Sequence, residues 1–355
     1  MKLVLVGGFL GSGKTTAIQK ACDILLKRDT KVAVITNDQG EELADSKYIE
    51  HFSIPVKEVT KGCFCCNYNE LLKNIYYFSE EVNPDIIFAE SVGSCTDLIA
   101  TIAKPLAEMH PELSVNISVF VDASLLHSIV KGTSAFIDDT VRYIFKKQME
   151  EADILILNKA DLLNEKELEE VNNFIQQEYA GKKILLQNSF DEKDIKQWLN
   201  CIDQTIPAQR KSLDIDYNIY GVGEAKLAWL DSTITTNAGK ISASKVALQL
   251  AELMFEKTKQ RGYTIGHLKF LINDGINQYK ISYTTTLHAK KSSTADASQI
   301  ATILINARVQ TEPELLQKIL YETIDEISLK TNSYIQVQSL YAFQPGFPKP
   351  TYRIS

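Results

Sequence analysis

The segment Gly8-Phe-Leu-Gly-Ser-Gly-Lys14-Thr15 carries the spacing G-x4-G-K-[ST]. It follows an apolar run and opens a helix-forming stretch, the context in which this pattern binds phosphate. Gly8, Gly11 and Gly13 let successive backbone N–H groups curl around an anion, and the helix that follows adds its positive end. Lys14 can then reach the β- and γ-phosphates. The Thr15 hydroxyl can ligate Mg²⁺, with Ser12 and Thr16 as further polar groups of the loop. An ordinary Gly-rich turn would need none of these polar types at fixed offsets.

A second pattern, Asn158-Lys-Ala-Asp161, ends an apolar run at 153–157. A carboxylate at Asp161 accepts from guanine N1–H and N2–H₂ together. Adenine has no such donor pair, so a buried acceptor would go unsatisfied. Asn158 can address the base edge or tie this loop to the phosphate loop. The Lys159 stem can lie on the ring, and Ser189, after the next apolar run, is a weaker candidate for backing the base. The alternative is a polar strand-to-helix turn with Asp161 as its cap.

Between these motifs, Asp85-Ile-Ile-Phe-Ala-Glu90 delivers an acid at the end of an apolar run and continues to Gly93. Glu90 is expected to hold Mg²⁺ directly or through water, and with Lys14 it forms the expected catalytic pair. Gly93 would let the backbone approach the γ-phosphate. Asp38, in Asn37-Asp-Gln-Gly40, is a second candidate ligand of Mg²⁺, although an Asx-capped turn explains that segment equally well.

Gly62-Cys-Phe-Cys-Cys66 is of another kind. Thiolates are soft ligands suited to Zn²⁺ and related transition ions. The C-x-C-C spacing is unlike that of structural zinc knuckles, so a site at Cys63, Cys65 and Cys66 is expected to stay open or to be completed from elsewhere, which favours transfer or sensing. Redox chemistry at Cys65-Cys66 and simple core packing are the alternatives. Cys22, Cys95 and Cys201 are isolated along the chain.

These residues require a scaffold. Short β-branched runs alternate with amphipathic stretches, which predicts a mostly parallel sheet flanked by helices. Strands are expected at 2–6, 31–36, 56–59, 85–89, 116–121, 153–157 and 183–187, with helices at 15–28, 69–80, 138–152 and 165–178. Residues 1–207 form this domain and 208–217 a linker. Residues 218–355 are expected to form a smaller α+β domain of ferredoxin-like order: strand, helix, hairpin at Asp274-Gly275, strand, helix, strand. It ends in the Pro-rich stretch 345–350. A net charge of −7 over 355 residues argues against general nucleic-acid binding. No run has the length of a membrane span, and the first apolar run reads as a buried strand rather than a signal peptide. A cytoplasmic protein is expected.

Taken together, Gly7–Thr16, Asn37–Gly40, Gly62–Cys66, Glu90–Gly93 and Asn158–Asp161 resemble the ordered motifs of the CobW-type P-loop GTPases, relatives of the HypB, UreG and MeaB metallocentre-maturation proteins. The resemblance covers roughly the first 200 residues. It implies a slow GTPase that acts as a metallochaperone or insertase for Zn²⁺, Co²⁺ or a related ion, with the three cysteines as metal ligands. A client metalloprotein, docked partly through the C-terminal domain and open to a cobalamin-linked system, is the implied partner; a second copy of the chain is another. The chain departs from the common pattern at Asp38 and at Ser91-Val92, and its five histidines (His51, His110, His127, His267, His288) form no tract. GTP and Mg²⁺ are expected to order 38–42 and 90–93 and so complete the thiolate site. With no evident arginine finger, intrinsic hydrolysis should be weak. Two rivals are a P-loop small-molecule kinase and a GTP-gated metal sensor or storage protein.

Overall fold

Leu3, Val4, Leu5 and Val6 are each at most 1% exposed. A strand buried on both faces needs a covering layer on each side, as parallel sheets provide. These residues form β1 (Lys2–Gly7), the centre of a seven-stranded sheet of order β3-β2-β4-β1-β5-β6-β7. The other strands are β2 (Val32–Asn37), β3 (Val56–Val59), β4 (Ile86–Glu90), β5 (Ser114–Asp122), β6 (Ile154–Asn158) and β7 (Lys183–Gln187), and every adjacent pair is parallel. The computed structural model describes residues 1–37, 46, 49–50, 54–60, 62–133, 139–205, 210–284 and 298–355.

The expected helices are present as α1 (Lys14–Leu26), α2 (Tyr68–Glu81), α5 (Asp139–Glu151) and α6 (Glu165–Glu178). Four more were not anticipated: α3 (Lys104–Met109), entered through a π-helical turn at Ile99–Ala103, α4 (Ala123–Val130), α7 (Glu192–Gln204) and α8 (Tyr217–Ala225). Helix α7 is polar along most of its length, yet it buries Trp198 against Phe120, ring centroids 5.0 Å apart, with the indole N–H on Ser118 Oγ at 3.1 Å. Ile195, Trp198, Leu199 and Ile202 recur at helical spacing, and the aromatic contact anchors the face they form.

The described residues divide into two units, one within Met1–Gln39, Ile49–Gly223 and Phe347–Ser355, the other within Gly40–Tyr48 and Glu224–Gly346. The division expected at 207 therefore falls later. Residues 210–216 are not a free linker: Arg210 pairs with Asp153 at 2.7 Å, and Ile215 is buried in an apolar cluster with Ile144 and Tyr220. The segment 347–355 also belongs to the first unit rather than to the C-terminal domain.

The second unit runs β8 (Ala228–Asn237), α9 (Ala243–Gln260), β9 (Thr264–Asn273), β10 (Gln278–Tyr283), β11 (Ile300–Gln310), α10 (Pro313–Thr331) and β12 (Ile335–Phe343). Its antiparallel sheet has the order β10-β9-β11-β8-β12. Without β10 this is the ferredoxin-like βαββαβ arrangement; β10 is the edge strand supplied by the Asp274-Gly275 hairpin. Leu250, Met254, Phe270, Ile305 and Leu320 lie in its core.

Candidate nucleotide and metal site

In an open parallel sheet ligands gather outside the carboxyl ends of the strands. The chemical motifs follow β1, β2, β3, β4, β6 and β7, so they emerge along this one edge.

The phosphate loop joins β1 to α1. Gly13, with φ 94°, caps the helix, and a Cβ there would stand 2.2 Å from Asn158 Nδ2. At Gly8 (φ 123°) a Cβ would meet Phe120 O at 2.0 Å. Both positions therefore demand glycine on conformational and steric grounds. Gly11 also has positive φ. Lys14 Nζ donates to Gly8 O at 2.6 Å and Phe9 O at 3.2 Å, which keeps the ammonium inside the curve of the loop. The buried Ser12 hydroxyl has no partner among the described residues, and Thr16 is half-buried in the first turn of α1.

Thr15 Oγ1 donates to Glu90 Oε1 at 2.9 Å, and both side chains are buried. A hydroxyl beside a carboxylate at the phosphate loop is a donor set that fits Mg²⁺. Gly93 O accepts from Gln148 Nε2 of α5 at 3.0 Å. Asp38 lies outside the described residues.

Asn158 ends β6 and takes the tying role. Its Nδ2 donates to Ser12 O at 2.7 Å, and its Oδ1 accepts from Ser189 N at 3.1 Å and Ser189 Oγ at 2.8 Å. The loops after β1, β6 and β7 are thus joined through one side chain. Lys159 sits in the left-handed region (φ 59°), and its ammonium pairs with Asp122 Oδ2 at 2.7 Å. Asp122 escaped sequence reasoning; it ends β5 and caps α4 through Ser124 N and Leu125 N. Asp161 lies exposed in the 3₁₀ turn Ala160–Leu162.

Cys63, Cys65 and Cys66 bring their sulfurs within 4.8 Å of one another, and among the described residues they are the one group of this kind that could hold a metal ion. Cys63 Sγ is 2.7 Å from Cys65 Sγ and 3.2 Å from Cys66 Sγ. Hydrogen bonds from Cys65, then Cys66 and Cys95, hold the Cys63 thiol well below its ordinary range. The same contacts with Cys63 push Cys65 up and Cys66 up to about 11. Cys63 is thus the sulfur on which these contacts favour negative charge, and either partner of the Cys63–Cys65 contact can be the donor.

Two features that hold this loop were not foreseen. Asn37, the last residue of β2, donates from Nδ2 to Val59 O and Gly62 O, both at 2.8 Å, and accepts from Phe64 N at 2.8 Å. The segment 347–355 runs beside the cysteines: Lys349 N donates to Cys66 Sγ at 3.2 Å, Thr351 N to Cys65 O at 2.8 Å and Thr351 Oγ1 to Cys66 O at 3.0 Å. Tyr352 meets Tyr68 edge-on at 5.0 Å, and Arg353 Nε donates to Asp97 Oδ2 at 2.8 Å. Alternating prolines signal an extended segment but not the surface it follows.

Residues 2–186 match the family model described as CobW/HypB/UreG, nucleotide-binding domain. The chain is similar to zinc-regulated GTPase metalloprotein activator 1 of Dictyostelium discoideum, 26% identical over 208 residues that cover 48% of this chain and 42% of that protein. It is also similar to the zinc chaperone YeiR of Escherichia coli (strain K12), 25% identical over 186 residues, 51% of this chain and 53% of the relative. The chain spans about half the length of the curated relatives it matches. Among solved structures it is similar to HypB from Helicobacter pylori in complex with nickel, with 16% identity, a TM-score of 0.43, and coverage of 59% of this chain and 90% of that one. The matched region contains the phosphate loop, the thiol cluster and the Asn158 loop alike, and it is more than half of the 355 residues: the chain belongs to the CobW/HypB/UreG family of P-loop GTPases.

Proposed function

We propose that the protein is a slow GTPase that carries a thiophilic divalent ion, Zn²⁺ or Co²⁺, on Cys63, Cys65 and Cys66 and yields it to a client metalloprotein in step with its nucleotide state. The observation that carries this reading is the group of three thiols within 4.8 Å, on the sheet edge that also bears the phosphate loop. Lys14 and the loop amides bind the phosphates, and Asp161 selects guanine through its two N–H donors. Asn158 holds the base loop and the phosphate loop in register. Thr15 and Glu90 are the residues to hold Mg²⁺, which supplies charge neutralisation at the phosphates when bound. The α+β unit at 224–346 is the candidate client-recognition module, and a cobalamin-linked client falls within this class.

Zinc-loaded protein, mixed with a chromogenic chelator, tests the reading. With a non-hydrolysable GTP analogue zinc should transfer slowly, and with GDP it should transfer faster. Equal transfer in both states, or zinc retained equally by a Cys63→Ser, Cys65→Ser, Cys66→Ser variant, contradicts it.

A further inference from the structure

We propose that Cys95 is a fourth sulfur ligand, so that the transported ion is held by Cys63, Cys65, Cys66 and Cys95 rather than by three thiolates and an open position. This rests on the metal-carrying reading above and adds a ligand from a different loop.

Cys95 stands 29 residues from Cys66 in sequence, but β4 lies beside β2 in the sheet, and β2 also carries β3, from which the cysteine loop emerges. The Cys95 thiol hydrogen-bonds to Cys63 and interacts electrostatically with Cys65. It is 2% exposed, as closed off from water as Cys63 and Cys65 at 3% each. Its backbone is held on both sides: Cys95 N donates to Val92 O at 3.0 Å, and Gln148 Nε2 donates to Cys95 O at 2.8 Å. The sulfurs within 4.8 Å of one another are those of Cys63, Cys65 and Cys66; Cys95 lies outside that group and reaches it through Cys63, so binding of the ion would have to draw it toward the other two. Four thiolates are a ligand set that Zn²⁺ accepts in tetrahedral geometry, and a closed set retains its ion where an open one exchanges it. Cys95 lies two residues beyond Gly93, on the segment that Glu90 links to Thr15 of the phosphate loop. The fourth ligand would thereby be the one that the phosphate loop can move, and its departure would open the site for transfer.

Cobalt(II) titration of the full chain, followed by thiolate-to-cobalt charge-transfer absorption, tests the assignment. Wild-type protein should give four-thiolate intensity. The Cys95→Ser variant should lose about a quarter of it, in proportion to the ligand count, with a shift of the ligand-field bands. Competition with a chelator should show metal affinity lowered ~10-fold or more, the scale on which even outer-shell partners matter. Because a serine in this buried position can loosen the fold, Cys95→Ala is measured alongside, with near-ultraviolet circular dichroism and GTP affinity as readouts of an intact domain. Identical cobalt spectra in wild type and both variants overturn the Cys95 assignment while leaving the three-cysteine site standing. A wild-type protein with no thiolate-to-cobalt band overturns the metal-carrying reading itself.

Discussion

Thr15 Oγ1 donates to Glu90 Oε1 across 2.9 Å, joining the first turn of α1 to the end of β4. The chain then runs from Glu90 through Gly93 to Cys95, whose thiol touches Cys63. A change at the phosphate loop therefore has a short covalent and hydrogen-bonded route to the thiol cluster. A two-state segment of this kind is what linkage between two ligands requires.

Lys14→Ala should abolish GTP binding or hydrolysis while leaving the fold intact, because the ammonium donates to Gly8 O and Phe9 O, carbonyls of the phosphate loop itself. Nucleotide affinity and thermal unfolding, measured together, check this. A well-folded variant with an unchanged GTPase rate would show that the loop does not serve the phosphates.

Asp161→Asn should weaken GTP binding by about 2–3 kcal/mol, since an amide would face two donors where a paired acceptor stood. The same variant should gain affinity for xanthosine triphosphate, whose C2 oxygen accepts. Competition of GTP, ATP and xanthosine triphosphate for one fluorescent analogue checks it. Equal affinities for ATP and GTP in the unmutated protein would contradict guanine selection.

Lys349→Pro removes the N–H that donates to Cys66 Sγ. Pro348 and Pro350 already flank it, so the extended backbone is preserved. An N–H···S bond offsets thiolate charge, and its loss should lower metal affinity by roughly tenfold. Chelator competition checks this; affinity equal to wild type would mean that the 347–355 segment only packs beside the cluster.

Glu151 carries a stability dependence on pH. Burial, reinforced by the nearby Asp97, raises its carboxyl to about 8, although Ile99 N and Thr96 Oγ1 donate to it. Lys182 is a further charge that senses it, and Asp97 is itself paired with Arg353 and bonded to Tyr217. An unfolded Glu titrates near 4.3, so between about 4.3 and 8 the folded state keeps a proton that the unfolded state has lost. Its contribution is therefore full at low pH, declines as pH rises through this window and is gone above it. Unfolding midpoints from pH 5 to 9 should fall more steeply for wild type than for Glu151→Gln. Parallel profiles would contradict the shift.

The seven strands and the motifs they deliver were legible because buried parallel strands are nearly unbroken apolar runs. The ends were less so. Expected strands stop at the last apolar residue, Thr36 and Gln187 aside, whereas β2, β4, β5 and β6 each continue one step to Asn37, Glu90, Asp122 and Asn158. The polar residues that serve the site are those final steps. The Asn37 clamp, the Lys159–Asp122 pair, the approach of Cys95 and the course of 347–355 were not legible, because each joins segments distant in sequence through the order of strands in the sheet. No periodicity within a single segment records that order.

The most direct test of the central claim is a calorimetric titration of Zn²⁺ into the full chain with a GTP analogue, with GDP and without nucleotide. Zinc should bind more tightly with the GTP analogue by about 1–3 kcal/mol, roughly 5- to 150-fold, and zinc should tighten the analogue by the same factor. Cys65→Ser, Cys66→Ser protein should lose the coupling and keep its metal-free GTP affinity. Identical zinc affinities in all three nucleotide states would contradict the coupling of GTP to the thiolate site.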